Sequence, residues 1–123
     1  MLQFTLRRKK STANTVCFRD YRDRIGKVYI PNELVEELGI NREIVVEIAE
    51  PSRALPGGKG YTSRFYRCRE TLKKIRYDEE TDVIKAVYVC KRLAQDEELG
   101  DEIVVRILPV TDPAENHKAG AVV

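Results

Sequence analysis

The stretch DRIGKVYIPNELVEELGI, Asp23 to Ile40, decides the fold. From Ile25 it alternates β-branched and polar residues through Ile30, the pattern of a strand. Pro31 lacks an N–H and ends strand pairing, and Asn32 can cap a helix start. Leu34 and Leu38 recur four apart before Gly39 supplies a left-handed stop, so the predicted helix is barely two turns. Downstream, Ile44, Val46 and Ile48 alternate with Val45 and Glu47, as in a strand with one face on a core. Upstream, TVCF from Thr15 enters a polar turn at Asp20 to Arg24. The unit therefore reads strand, turn, strand, short helix, strand.

The same unit recurs at an offset of 59 residues. VYIPNEL, Val28 to Leu34, falls on VYVCKRL, Val87 to Leu93, and EIVVEI from Glu43 falls on EIVVRI from Glu102. Asp23 pairs with Asp82, Ile25 with Ile84 and Val16 with Ile75. Matching Leu38-Gly39 to Leu99-Gly100 requires two extra residues before the second glycine and two fewer after it, an indel at a helix end where a core is least disturbed. The second copy reads FYRCRETLKKIRY, a DEETD turn, VIKAVYV, a helix near Lys91 to Leu99, and EIVVRIL. One unit is too small to bury itself, so two copies must share a core.

The expected fold class is α+β, mostly β, with a pseudo-two-fold internal repeat and two short helices. The predicted organisation is a basic N-terminal arm (1–14), a first repeat (15–50), a basic Gly/Pro-containing connection (51–70), a second repeat (71–108) sharing one core with the first, and a disordered tail (109–123).

At 123 residues the chain holds one ordinary core, and no apolar run approaches the roughly 18 residues of a membrane span. MLQFTLRRKK places its charges after a short apolar stretch, the reverse of a secretory signal, so a cytoplasmic protein is expected. Cys17, Cys68 and Cys90 form no close pair and, with His117, offer no zinc spacing; Cys17 and Cys90 read as small buried hydrophobes. No metal or cofactor is expected. The single histidine sits in a polar, Pro-interrupted segment, LPGGKGYTS lacks Walker spacing, and Glu79-Glu80 and Glu97-Glu98 read as solvated charges. The chain is expected not to be an enzyme.

Charge comes in blocks. Residues 1–27 carry +6, 28–50 carry −5, 51–76 carry +7 and 77–123 carry −6. Arg7, Arg8, Lys9 and Lys10 form the expected arm, and Arg19, Arg22, Arg24 and Lys27 surround the first hairpin. Lys59, Arg64, Arg67, Arg69, Lys73, Lys74 and Arg76 form the second basic region, so both hairpins are expected to present cations at pseudo-symmetric positions. All fifteen are candidate phosphate contacts, with Arg22 and Arg24 candidates for base readout. The bland alternative is a solvated turn whose arginines pair with Asp20 and Asp23. Asp23, with Asp82, is expected to tie the turn. Tyr61, Phe65 and Tyr66 lie among the second set, where they can stack on single-stranded bases or pack on the barrel.

The pattern Asp-x-x-Gly-Lys-Val-Tyr-Ile-Pro-x-Glu-Leu-x-x-x-Leu-Gly-Ile closely resembles the AbrB/MazE/MraZ swapped-hairpin superfamily, of the SpoVT-AbrB type. The resemblance covers the first repeat well and the second more weakly, where Lys85 and Cys90 replace Gly26 and Pro31 and no isoleucine follows Leu-Gly. It implies a swapped-hairpin β-barrel in which two units interlace, as a homodimer or, with tandem copies, a monomeric pseudo-dimer. It also implies a nucleoid-associated, DNA-binding transcriptional regulator or nucleoid-type protein that grips duplex DNA with basic hairpins and arm. DNA-binding members often carry arginines on the short helix, whereas here it carries Val35, Glu36 and Glu37. The alternatives are an antitoxin-like or double-psi-barrel-like protein-interaction module that binds a partner through acidic helices, or a single-stranded nucleic-acid binder.

Overall fold

The computed structural model of the chain describes residues 2–53 and 60–110. In chain order the elements are β1 (Leu2–Ser11), β2 (Thr15–Arg19), β3 (Val28–Pro31), α1 (Asn32–Leu38), β4 (Glu43–Ala49), β5 (Tyr61–Glu70), β6 (Lys74–Glu79), β7 (Ala86–Cys90), α2 (Lys91–Asp96) and β8 (Glu102–Pro109). All eight strands join one antiparallel sheet in the order β3-β2-β1-β4-β8-β5-β6-β7. The fold is α+β and mostly β, as the alternation patterns led us to expect.

The sheet order reads the same from either end, half one outward from β4 and half two outward from β8. At the centre Ile44 faces Pro109 and Ala49 faces Val104, so the register is symmetric about the pair Glu47 and Arg106. Those two positions are 59 residues apart, which places the pseudo-two-fold axis between them. Leu6, Phe18, Ile30 and Ile44 meet Phe65, Tyr77, Val89 and Ile103 in one continuous core, all at most 1% exposed. Neither half encloses a core of its own, as the size of the unit requires.

Several boundaries differ from expectation. Residues 2–11 are not an arm: β1 lies between β2 and β4, with Phe4 and Leu6 buried. Likewise residues 61–70 are not connection but strand β5, paired with β6 and β8. Only Phe4 and Leu6 in β1, and Phe65 in β5, are buried apolar side chains, so charged stretches hid two strands whose backbone bonds are satisfied by neighbours on both sides. Pro109 belongs to β8 rather than to a tail. Residues 111–123 of the expected tail, with His117, lie outside the described residues.

The indel also disappears. Gly39 has φ 68° and Glu98 has φ 54°, so Glu98 holds the left-handed position in the second copy. Ile40 N–H bonds Val35 O at 2.9 Å, and Leu99 N–H bonds Ala94 O at 2.8 Å. Leu99 therefore stands on Ile40 and Gly100 on Asn41, at the constant offset. Gly39 ends α1 as expected, the match of Leu99-Gly100 to Leu38-Gly39 was a coincidence of letters, and α2 ends at Asp96. Asn32 does not cap α1: Pro31 holds that place, while Asn32 donates its N–H to Asn14 O and its side-chain amide to Ala13 O, fastening the helix to the β1–β2 turn.

The outer strands approach each other and nearly close the sheet into a barrel. Ile25 bridges Val89, Gly26 N–H bonds Tyr88 O at 2.9 Å, and Cys90 N–H bonds Arg24 O at 2.8 Å. Gly26 lets the edges approach closely, since a Cβ there would lie 3.0 Å from Cβ of Tyr88, tighter than an ordinary contact. Among the described residues no helix is long and apolar enough to cross a membrane.

Candidate anion-binding face

Of the expected site residues, Lys9, Arg19 and Lys27 are brought together. The β1–β2 register slips between Arg8 and Lys10, making Lys9 the extra residue of a β-bulge, a device that re-aims one side chain. Its ammonium is held below the ordinary lysine range first by the charge of Lys27, then by partial desolvation and by Arg19. None of the three has a carboxylate within ion-pair distance among the described residues, and all are exposed. Lys10 is exposed alongside, opposite Cys17, and Arg22 is exposed in the β2–β3 turn. Arg8 aims its guanidinium at Asn41 O and Ser11 Oγ, also without a carboxylate.

Other candidates are engaged internally. Arg24 is the clearest correction: its backbone N–H, Nε and Nη2 all donate to Asp20, at 2.8, 3.1 and 3.0 Å, and its guanidinium lies 4.8 Å from the Phe4 ring centre. Asp20 is only 1% exposed. Burial alone would raise its carboxyl, but the Arg24 side-chain and backbone hydrogen bonds outweigh that and hold it below the usual carboxylate value. Arg24 is thus a turn clamp rather than a base reader. Asp20 ties the turn, while exposed Asp23, at φ 54°, pairs with Lys74 across the repeats at 2.8 Å.

The second hairpin does not mirror the first. The equivalents of Lys9, Arg19 and Lys27 are Cys68, Asp78 and Ala86, so its like-charge cluster is absent. Arg76 pairs with Asp78 at 2.7 Å, Arg64 with Glu102 at 3.8 Å, and Arg67 with Glu70. Arg7 is shared between Glu43 at 3.5 Å and the Tyr21 ring and hydroxyl. Arg69 and Lys73 remain exposed without a carboxylate partner among the described residues, and Lys59 lies outside them.

The aromatics divide too. Phe65 is buried and Tyr61 donates its hydroxyl to Glu79 at 2.5 Å, so neither can stack on a base; Tyr66 alone is exposed. Glu79 stands where Asp20 does in the first copy and accepts the Ile84 N–H at 2.5 Å, organising the second turn. Two acids at one repeat position were the overlooked signal for these buried turn carboxylates. Cys17 is buried as expected, Cys90 is half-buried and Cys68 is exposed. Among the described residues no group of His, Cys, Asp and Glu is arranged to hold a metal ion.

No protein-family model matches the chain. No curated protein matches it significantly either.

Proposed function

We propose that this protein binds duplex DNA through the outer face of its first hairpin, as a transcriptional regulator or nucleoid-type protein of the AbrB-like class. One observation carries this: Lys9, turned out at the β-bulge, Arg19 and Lys27 form an exposed like-charge cluster with no carboxylate within ion-pair distance among the described residues. Such a cluster is destabilising in the free protein and is relieved by an anion, and a row of phosphates supplies several at strand spacing. Lys10 and Arg8 extend the positive face, and Arg22 is the side chain free to reach a base edge. The resemblance of Asp23 to Ile40 to the swapped-hairpin superfamily supports the same reading.

The test is a salt titration of duplex binding with the full chain. Affinity should fall steeply and log-linearly with salt as phosphate contacts release counterions. Lys9→Ala and Lys27→Ala should each lower the slope by about 1. Binding indifferent to salt and to both substitutions refutes the proposal and favours a protein partner, for which exposed Glu33, Glu36 and Glu37 on α1 provide an acidic surface.

A further inference from the structure

The two edges of the sheet meet asymmetrically, and the asymmetry opens a cleft. On one side of the pseudo-dyad Gly26 N–H bonds Tyr88 O and Cys90 N–H bonds Arg24 O. The symmetric pair would run from Lys85 N–H to Tyr29 O and from residue 31 to Val83 O. Residue 31 is proline and has no N–H to give. Neither bond forms among the described residues, and the edges part there.

A cavity of about 360 Å³ opens at this seam. Its lining includes Lys27, Tyr29, Arg76, Val83, Lys85 and Tyr88. Tyr29 and Tyr88 are the same repeat position, so two phenol rings come from opposite edges. Arg76 is neutralised by Asp78 and lies 5.8 Å from the Tyr88 ring centre. Lys27 and Lys85 have no carboxylate partner among the described residues, and no carboxylate lines the cavity. Two unpaired ammonium groups call for an anion, two aromatic rings for a planar partner, and the volume is that of a small-ligand site.

We propose that the seam between β3 and β7 binds a nucleobase–phosphate unit, its ring between Tyr29 and Tyr88 and its phosphate at Lys27 and Lys85. The unit can come from a free mononucleotide or from an unpaired nucleotide of a strand. This goes beyond duplex binding, which shares Lys27 with the cleft but uses neither Lys85 nor the tyrosines.

The experiment follows the tyrosine ring NMR signals of the full chain during titration with adenosine 5′-monophosphate, adenosine, inorganic phosphate and a short oligodeoxyadenylate. The nucleotide or the oligonucleotide should shift Tyr29 and Tyr88 saturably while Tyr61 and Tyr77 stay put, and whichever saturates identifies the source. Adenosine and phosphate should each bind at least tenfold more weakly. Lys85→Ala should weaken nucleotide binding about fivefold or more, leaving melting temperature and duplex affinity unchanged. Tyr88→Leu should abolish the Tyr29 shift. The proposal fails if neither ligand shifts Tyr29 and Tyr88 saturably, or if phosphate alone binds as well as the nucleotide. Loss of duplex binding in Lys9→Ala with the cleft still loading, or the reverse in Lys85→Ala, separates the two sites.

Discussion

Glu47 and Arg106, one position of the repeat carrying opposite charges, face each other on the pseudo-two-fold axis. Arg106 Nη2 and Nε lie 2.5 and 2.6 Å from Glu47 Oε1, with the residues 6% and 8% exposed. On either side sit Gln3 and Thr62, themselves equivalent, in one row across four strands. Pairing two identical halves would bring Glu47 against Glu47 or Arg106 against Arg106 in a buried place, an uncompensated like-charge contact. The divergence of this one position selects the unlike pair, which is the pair a single chain provides.

That selection is measurable with fragments. Fragments 2–53 and 60–110, mixed, should form a 1:1 complex by light scattering, and neither alone should form a folded homodimer. In the full chain Arg106→Leu should cost about 3–5 kcal/mol, and adding Glu47→Leu should recover much of the loss, because the penalty comes mainly from stranding one buried charge. Urea unfolding decides it: a double variant no more stable than the single one contradicts the account.

The Asp20 clamp predicts an acid-sensitive turn. Asp20→Ala should cost about 2–3 kcal/mol, since a buried carboxylate accepting charged hydrogen bonds is lost while half-exposed Arg24 can reach water. Because Asp20 is held below its unfolded-state value, its contribution is fully present above about pH 4 and disappears as pH falls through the lower folded value. Asp20→Asn should flatten that part of the stability profile. An Asn variant with the same acid slope would contradict the assignment.

Arg22 and Arg24 should separate by phenotype although they stand two residues apart. Arg24→Ala should lower thermal stability and leave DNA preference unchanged. Arg22→Ala should leave stability within about 0.5 kcal/mol and weaken a preferred duplex by about 1–3 kcal/mol relative to random duplex. Equal weakening on both duplexes would restrict Arg22 to phosphate.

If the first hairpin binds duplex DNA as proposed, Lys9 should set the alkaline limit of that binding. Its ammonium deprotonates at lower pH than an ordinary lysine, and a bound phosphate favours the charged form. Duplex affinity should therefore begin to fall below the ordinary lysine range as pH rises, and Lys9→Arg should move that fall upward. An unchanged alkaline profile in Lys9→Arg would remove Lys9 from the interface.

Much of the fold was legible in local pattern. The alternation in Glu43 to Ile48, the two leucines of α1 and the offset of 59 follow from side-chain periodicity and identity, and they forecast a shared core from two unequal copies. Strands β1 and β5 were missed: the alternation Leu2, Phe4, Leu6 is short and runs into the charges Arg7 to Lys10, and in β5 only Phe65 is a buried apolar residue. The candidate cations were recognisable as a class but not as a set: Arg24 and Lys9 look alike as letters, and their difference lies in what faces them.

The amino-acid sequence by itself determined the repeat, the mostly β composition and the surplus of cations in each first hairpin, since these depend on residue type and spacing. The tertiary structure decided which cations stay unpaired: Asp20 reaches Arg24 through the geometry of the turn, Glu43 reaches Arg7 through strand pairing, and Asp78 reaches Arg76 along one face of β6. It also decided that Glu47 meets Arg106 and that the barrel parts beside Pro31. Register across a dyad is a relation between distant segments, carried by the backbone bonds that bring them together.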